Sequence, residues 1–409
     1  MAAHLFARWW LPLELAKSMI TPHSSLPRTP GSPARTAPIN VAVIGTGFGA
    51  SVHLPALKHI DAVETVAVVS RRADRARSAA ERHGVPHAST DWRDVINDPH
   101  VHAVVIATPP YLHHQMVIAA LEARKHVLCE KPMARSVAEA RDMVKLAQQA
   151  GVVAMVNHEF RYLPIRRRVK ELIDEGYIGD PHSVSMNVYR STLADPNERP
   201  FGWLMEADKA GGMLGASGSH AIDSLRWWLG EIHEVAGITA TMVKKRRLPD
   251  SSGMAGVDAD DNFAFLLRFA SGAIGSVHFS ATAPINAGEE ITISGSEGML
   301  IIQGETDLLG ARRRESGLRE LPIPERLNAR LPDFSHVLTR PTVLLLRDWV
   351  TAIRTREQPE FSPTFDDGAK VQEIIDAVFR SRTQGRWVDT SGTRWMVGVG
   401  RSALPNTPL

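Results

Sequence analysis

The amino-acid sequence predicts an α/β protein in two parts: a parallel sheet wrapped by helices, then an antiparallel sheet. Three observations predict it. Between residues 39 and 156, short apolar runs alternate with helical patterns, as βαβ units do. From Asn157 onward the rhythm changes to strands joined by short Gly-containing turns, which marks hairpins. A length of 409 residues also exceeds one ordinary core and suits two domains.

The elements follow in order. Residues 39–44 (Ile-Asn-Val-Ala-Val-Ile) are apolar, partly β-branched and ended by glycine, and read as a buried parallel strand. Strands at 64–69, 102–107, 126–128 and 152–156 follow, with helices at 73–83, 113–123 and 137–150 between them. Crossovers of this kind cover both faces of a sheet. In the second part, residues 183–189, 234–243, 262–269, 274–280, 290–294 and 299–303 read as strands. The turns Ala270-Ser271-Gly272 and Gly295-Ser296-Glu297-Gly298 join pairs of them. A helix at 221–229 sits among these strands. Residues 304–341 read as a long surface excursion, and helical patterns at 343–355 and 366–382 close the chain. The expected organisation is a leader (1–38), a parallel-sheet domain (39–156), a second, mostly antiparallel domain (157–390) and a tail (391–409).

The leader differs from the rest in composition. It holds six prolines (Pro12, Pro22, Pro27, Pro30, Pro33, Pro38), four basic residues and a single acid, Glu14. It reads as a disordered extension, with a targeting-like peptide as the other reading and an amphipathic pattern over 4–20. Across the whole chain, Lys+Arg 47 against Asp+Glu 45 gives a formal net charge of +2. That balance argues against a general nucleic-acid binder. One cysteine excludes an intrachain disulfide framework and a thiolate zinc cluster. No run of about 18 apolar residues occurs, so no membrane-spanning helix is expected. The His, Asp and Glu residues show no metal-ligand spacing, and no metal is expected. A soluble, cytoplasmic protein of about two domains fits these bounds.

Gly45-Thr46-Gly47-Phe48-Gly49-Ala50 directly follows the first strand and opens a helix. The spacing G-x-G-x-x-A is an accepted form of the dinucleotide fingerprint. Gly45 permits the tight turn, Gly47 lets backbone N–H groups approach a pyrophosphate, and small Ala50 allows close helix–strand packing. Out of context such a run is an ordinary Gly-rich turn; between a strand and a helix it reads as a phosphate loop. An NAD site usually carries an acid at the end of the second strand. Here that place is Ser70-Arg71-Arg72, and the first acid beyond is Asp74. A hydroxyl and two guanidiniums suit a 2′-phosphate, so NADP(H) is the expected cofactor, ahead of NAD(H).

Two further stretches carry chemistry. Cys129-Glu130-Lys131-Pro132 follows the strand ending at Leu128 and falls at the carboxyl edge of the sheet, where ligands bind. A lysine there can donate to a substrate hydroxyl and stabilise alkoxide charge. The second stretch is the glycine-dense loop from Gly211 through Gly215, Ala216, Ser217 and Gly218, ending at His220 with Asp223 three residues on. Those two share a helix face, and histidine suits proton transfer near neutral pH.

With these pieces in hand the sequence resembles the glucose–fructose oxidoreductase/inositol dehydrogenase family, often written Gfo/Idh/MocA. The resemblance rests on the 45–55 loop, Ala107-Thr108-Pro109-Pro110-Tyr111-Leu112-His113, the run from His126 to Pro132, Phe160-Arg161-Tyr162 and the 211–223 loop. It spans about residues 39 to 385. It implies a Rossmann dinucleotide-binding domain plus a C-terminal α/β domain with a large, mostly antiparallel sheet. It also implies hydride transfer between a nicotinamide and a hydroxyl- or carbonyl-bearing carbon of a carbohydrate-like substrate. Carried onto this chain, cofactor contacts fall on Gly45 to Ala50, on Ser70, Arg71 and Arg72, on Thr108, Pro109 and His113, and on Glu130 and Lys131. Lys131 would orient the substrate oxygen and His220 exchange the proton, with Arg161 and Asp223 as further substrate contacts. The resemblance also implies a cis Lys131–Pro132 bond.

One departure stands out. Many family dehydrogenases carry an aspartate four residues before the histidine, and here that residue is Ala216. Either His220 works without that carboxylate or a nearby group replaces it; Asp223 is a candidate, though supporting His220 or capping the helix backbone is its favoured role. The departure also keeps open a dinucleotide-binding sensor or regulatory subunit without turnover. Blander readings stand beside several sites. Lys131 could pair with Glu130, His220 could be a core histidine, and His113 either lines the nicotinamide pocket or merely starts its helix. Arg161 holds a ligand or forms an ion pair between the domains. Trp203, Trp227 and Trp228 read as core, and Cys129 as a buried small hydrophobe. A homo-oligomer is expected, because the antiparallel sheet would leave one face uncovered by its own helices.

Overall fold

A computed structural model of the chain describes residues 37–390 apart from Asp250 and Glu305. The leader, except its last two residues, and the 391–409 tail lie outside the described residues. The first sheet contains β1 (Ile39–Ile44), β2 (Val63–Val69), β3 (His87–Ser89), β4 (Ala103–Ile106), β5 (His126–Cys129) and β6 (Ala154–Val156). All pairings are parallel, in the order β3-β2-β1-β4-β5-β6. Between the strands run α1 (Leu54–Leu57), α2 (Ala73–His83), α3 (Trp92–Asn97), α4 (His113–Glu122) and α5 (Val137–Ala150). The central strands are apolar at nearly every position because both faces are covered: Val41, Ala42, Val43 and all of β4 are fully buried. The short β3 and α3 escape the sequence reading. His87–Ser89 lacks an apolar alternation, and α3 is set by Asp91, whose carboxylate accepts from Arg93 N at 3.0 Å.

The second half opens with α6 (Pro164–Asp174), β7 (Pro181–Tyr189), α7 (Ser219–Leu229) and β8 (Ile232–Ala240). A two-stranded ribbon follows, β9 (Lys245–Arg247) with β10 (Met254–Gly256). Next come β11 (Asn262–Phe269), β12 (Ile274–Ser280), β13 (Gly288–Gly295), β14 (Gly298–Gln303), β15 (Asp307–Arg312) and β16 (Arg319–Glu320). The chain closes on α8 (Thr339–Thr355), α9 (Phe365–Gln384) and β17 (Val388–Asp389). The second sheet runs β16-β15-β14-β13-β7-β12-β11-β8-β17, antiparallel throughout except for β7 beside β12. The fold is therefore the expected α/β pair of sheets, one parallel and one mostly antiparallel.

Two expectations are corrected. The stretch expected as a surface excursion supplies β15 and β16 to the sheet edge, and buries Leu308, Leu321 and Leu327. Its alternation is short and interrupted by charged turns, which hid the strands. Helix α8, expected with the second domain, packs Val343, Leu345, Leu346 and Trp349 onto the first sheet beside Val41, Val43 and Leu128. Helix α9 spans both cores: Phe365 and Ala369 join the first, and Ile374, Ile375 and Val378 the second. A capping box between Thr364 and Asp367 sets its start. One face of the second sheet packs against α6, α7 and α9. Tyr189, Ile238, Leu266 and Ile274 remain exposed on the strands β7, β8, β11 and β12.

Candidate active site

Strand order reverses at β1, which lies between β2 and β4. Ligands of such sheets bind at the carboxyl ends beside that switch point. Gly45 sits there with φ +116°, and a Cβ on it would lie 2.3 Å from the Ala107 carbonyl oxygen at the end of β4. Only glycine lets the two strand ends approach so closely. Gly47 is the opposite case, since a Cβ there would meet nothing within 4 Å. The loop is open at Gly47, as a passing pyrophosphate requires. The close helix–strand contact expected of Ala50 falls on Gly49, whose added Cβ would lie 3.0 Å from Val43. Thr46 Oγ1 donates to Ser70 Oγ at 3.1 Å, joining the phosphate loop to the end of β2. Arg71 is exposed beside it, and Arg72 binds the Asp74 carboxylate with Nε and Nη2 at 3.2 and 2.8 Å. This loop fits a dinucleotide phosphate group.

At the end of β5 the Lys131–Pro132 bond is cis, as expected. Glu130 is buried and receives His53 Nε2 at 2.7 Å, Asn157 Nδ2 at 2.8 Å and the Lys131 backbone N–H at 3.2 Å. Burial opposes its charge, but His53, Lys131 and Asn157 hold the carboxyl below its ordinary range. Lys131 does not pair with it. Instead Lys131 Nζ donates to the Ala216 carbonyl at 3.1 Å. His113 is wholly buried at the start of α4. Its ring nitrogens lie 2.7 Å from the Thr108 carbonyl and 3.2 Å from that of Pro132, tying the β4 end to the lysine turn, and burial pushes its pKa down. Glu130 and His113, read from the sequence as cofactor contacts, thus spend their polar atoms on the frame of the site. Thr108 and Pro109 stand between Ala107 and that clamp.

The end of β6 delivers Asn157, His158, Glu159, Phe160 and Arg161. The facing loop before α7 turns at Gly212 (φ +101°), against Asp260. Asp260 accepts the Leu214 N–H at 2.8 Å, and burial pushes its carboxyl up to about 6. The loop ends in a π-helical turn, Leu214–Gly218, from which α7 carries His220 and Asp223. The His220 ring stacks on Phe160 with centroids 3.9 Å apart, and its Nε2 lies 3.7 Å from Glu159 Oε1. Desolvation first, then the charges of Lys131, His158 and Arg166, hold His220 well below its ordinary value. It is a neutral imidazole at pH 7.

Arg161 and Asp223 come together differently from the expectation. Arg161 donates to Asp223 through Nε and Nη2 at 2.8 and 2.6 Å, and reaches Asp367 at 3.2 Å. Both are almost fully buried. Burial works against Asp367, yet Arg161 and Arg226 hold it down to about 2. Arg161 and Asp223, expected as substrate contacts, are bonded to one another, which is the ion-pair alternative for Arg161. Asp223 therefore does not replace the carboxylate missing at Ala216. Trp228 is core, with its N–H donated to the Arg166 carbonyl, and Trp203 and Trp227 pack on the same core. Cys129 is fully buried and its thiol pushed up by burial.

Sequence reasoning missed Glu159, His158, Asn157 and His53. The one signal available was the polar run Asn157-His158-Glu159 directly after a strand, where apolar loop residues would be free to occur. What the site assembles is a lysine donor, a neutral imidazole and a buried carboxyl beside a phosphate loop. Such a set can polarise a substrate oxygen and move its proton. Among the described residues, no group of three His, Cys, Asp or Glu side chains is arranged to hold a metal ion, and no helix is long and apolar enough to cross a membrane.

Comparison with known proteins adds the chemistry of relatives. Residues 39–158 match a family model described as "Oxidoreductase family, NAD-binding Rossmann fold", and residues 166–301 match the GFO/IDH/MocA C-terminal domain. A levoglucosan dehydrogenase of Pseudarthrobacter phenanthrenivorans is 32% identical over 387 residues, covering 86% of this chain and 98% of the relative. A myo-inositol 2-dehydrogenase of Thermotoga maritima is 31% identical over 287 residues, 69% of this chain and 81% of the relative. Among solved structures, levoglucosan dehydrogenase in complex with NADH and L-sorbose superposes with a TM-score of 0.80 at 30% identity, covering 86% of this chain and 98% of that one.

Proposed function

The chain belongs to the Gfo/Idh/MocA family of NAD-binding oxidoreductases, and we propose that it moves a hydride between a nicotinamide and a hydroxyl- or carbonyl-bearing carbon of a sugar-like substrate. The observation that carries this reading is the convergence of Lys131 and His220, 89 positions apart in sequence, on the loop at Ala216 beside the phosphate loop. The bound nicotinamide supplies the hydride donor or acceptor. Lys131 keeps donors besides the one given to Ala216 and uses them to orient and polarise the substrate oxygen. His220, neutral and stacked on Phe160, takes or gives the proton at that oxygen.

The finer features of the reading each have their own support. NADP(H) is preferred over NAD(H), because the end of β2 carries Ser70 and Arg71 where an acid would hold a ribose hydroxyl. Glycines 45, 47 and 49 with Thr46, Phe48 and Ala50 cradle the pyrophosphate, and Thr108 and Pro109 border the nicotinamide end. The enzyme works as a homo-oligomer through the exposed apolar face around Ile238, Leu266 and Ile274. It is cytoplasmic and has no nucleic-acid partner, in keeping with its near-neutral charge and its single buried thiol.

A panel assay tests the function. NAD+ and NADP+ reduction is followed with levoglucosan and myo-inositol, and NADH and NADPH oxidation with L-sorbose. Turnover of at least one pair is expected, with kcat/KM lost in Lys131→Met and His220→Gln while cofactor binding persists. Tight dinucleotide binding with no turnover of any sugar or polyol would instead favour a sensor, the reading that Ala216 keeps alive.

A further inference from the structure

Glu159 has no exposed surface, and neither of its carboxyl oxygens has a hydrogen-bond partner within the protein. Buried polar atoms are nearly always bonded, so a carboxyl with two unpartnered oxygens calls for a reason. Its nearest ionisable neighbour across the site is His220, with Nε2 at 3.7 Å, and His220 Nδ1 is unpartnered as well. No aspartate stands four residues before His220, and Asp223 is consumed by Arg161. Glu159 is the carboxyl that faces the imidazole.

We propose that Glu159 and His220 hold one proton between them, delivering it to the substrate oxygen when a carbonyl is reduced and recovering it when an alcohol is oxidised. This rests on the hydride-transfer reading above. In reduction, the hydride forms the new C–H bond while His220 Nδ1 gives its proton to the substrate oxygen and Nε2 takes the proton of Glu159 Oε1. The imidazole ends neutral and the carboxyl ends as a carboxylate. Oxidation runs the same path backwards: the hydroxyl proton goes to Nδ1 while Nε2 returns its proton to the Glu159 carboxylate. Glu159 acts through His220 and is a positioning and proton-holding residue.

The surroundings favour this division. Lys131 and Glu130 face Glu159 from the end of β5, Asp223 from α7, and His158 and Arg161 flank it in the chain. Arg166 of α6 adds its charge at His220, and Asp367 of α9 acts at His158. Burial is the largest effect on Glu159 and pushes it up to about 8, with Lys131 pulling down and Glu130 and Asp223 pushing up. His220 is held low by the same burial. Burial thus favours the proton on Glu159 over His220.

The test compares wild type, Glu159→Gln and Glu159→Asp. An infrared pH titration should find the band of a protonated carboxyl at pH 7 that fades through about pH 8 and is absent from Glu159→Gln. This readout needs no turnover and applies to the wild type even where a variant does not fold. In kinetics, kcat/KM for L-sorbose reduction should fall about tenfold per pH unit above the titration, and that for levoglucosan oxidation should level off there. Glu159→Gln should lose that limb and at least about tenfold in kcat, with NADH affinity unchanged by fluorescence. Glu159→Asp should keep a displaced limb. An unchanged limb in Glu159→Gln, or no protonated carboxyl attributable to Glu159, overturns the proposal. A wild type that turns over no sugar or polyol overturns the hydride-transfer reading and the delivery step with it, while the infrared titration still decides where the proton sits.

Discussion

Lys131 Nζ donates a hydrogen bond to the backbone carbonyl of Ala216 at 3.1 Å, joining the cis Lys131–Pro132 turn to the loop that carries His220. The residue that lacks a side-chain carboxylate thus still offers an acceptor to the lysine, through its main chain. Lys131→Met keeps the stem and removes the charge. It should lower kcat/KM by about a hundredfold or more, the usual reach of a polarising donor, with little change in the dinucleotide Kd. Lys131→Arg should not restore activity, because a planar guanidinium cannot take the ammonium's place against both the carbonyl and a substrate oxygen. Near-wild-type kcat/KM in Lys131→Met would remove the lysine from the chemistry.

Gly45 and Gly47 make a paired test of the phosphate loop. Gly45→Ala forces a Cβ to within 2.3 Å of the Ala107 oxygen at a φ of +116°. It should lower both thermal stability and cofactor affinity. Gly47→Ala meets nothing in the protein, so Tm should stay within a degree or two while NAD(P)H affinity falls at least about tenfold, as expected where backbone N–H groups must approach a pyrophosphate. Fluorescence titration beside thermal melting separates the two. Equal affinity in Gly47→Ala and wild type would move the phosphates elsewhere.

The Arg161–Asp223 pair should act on stability more than on substrate. Asp223→Asn removes one of the two carboxylates against the buried guanidinium and leaves Asp367 as the other, a loss of about 3–5 kcal/mol for a broken buried pair. Urea unfolding would show it as a lower midpoint with an unchanged slope. If Asp223 instead held the substrate, KM would rise many-fold at nearly constant stability.

The parts of this architecture that were legible in the sequence share a physical reason. Residues 39–44 and 103–106 are buried on both faces, and a strand buried twice must be apolar at nearly every position. The Gly45–Ala50 loop and Lys131 were legible because one backbone approach and one charge each demand a particular residue. Glu159 was not. A lone glutamate after a strand resembles any surface acid, and only the approach of α7, from 60 residues further on, encloses it. The bond between Asp223 and Arg161 was not legible either, because Arg161 arrives from another element. The coverage of the first sheet by α8 was hidden for the same reason: an amphipathic helix states that it packs, and not on which sheet.

Glu159 also predicts how stability varies with pH. Its carboxyl is pushed up to about 8 in the folded protein from an ordinary value of 4.5. Between those values the unfolded chain releases a proton that the folded chain keeps, so stability contributed at this site falls as pH rises through the window and levels off above 8. Glutamine at this position cannot titrate. The stability difference between Glu159→Gln and wild type should therefore move in favour of the variant by a few kcal/mol from pH 5 to pH 9, at about 1.4 kcal/mol for each pH step crossed inside the window. His220, held low, titrates in both proteins and largely cancels in the difference. Urea unfolding at pH 5, 7 and 9 measures it directly. A difference constant across that range would mean that Glu159 is ionised at neutral pH in the folded protein, held so by Lys131 against the burial that opposes it.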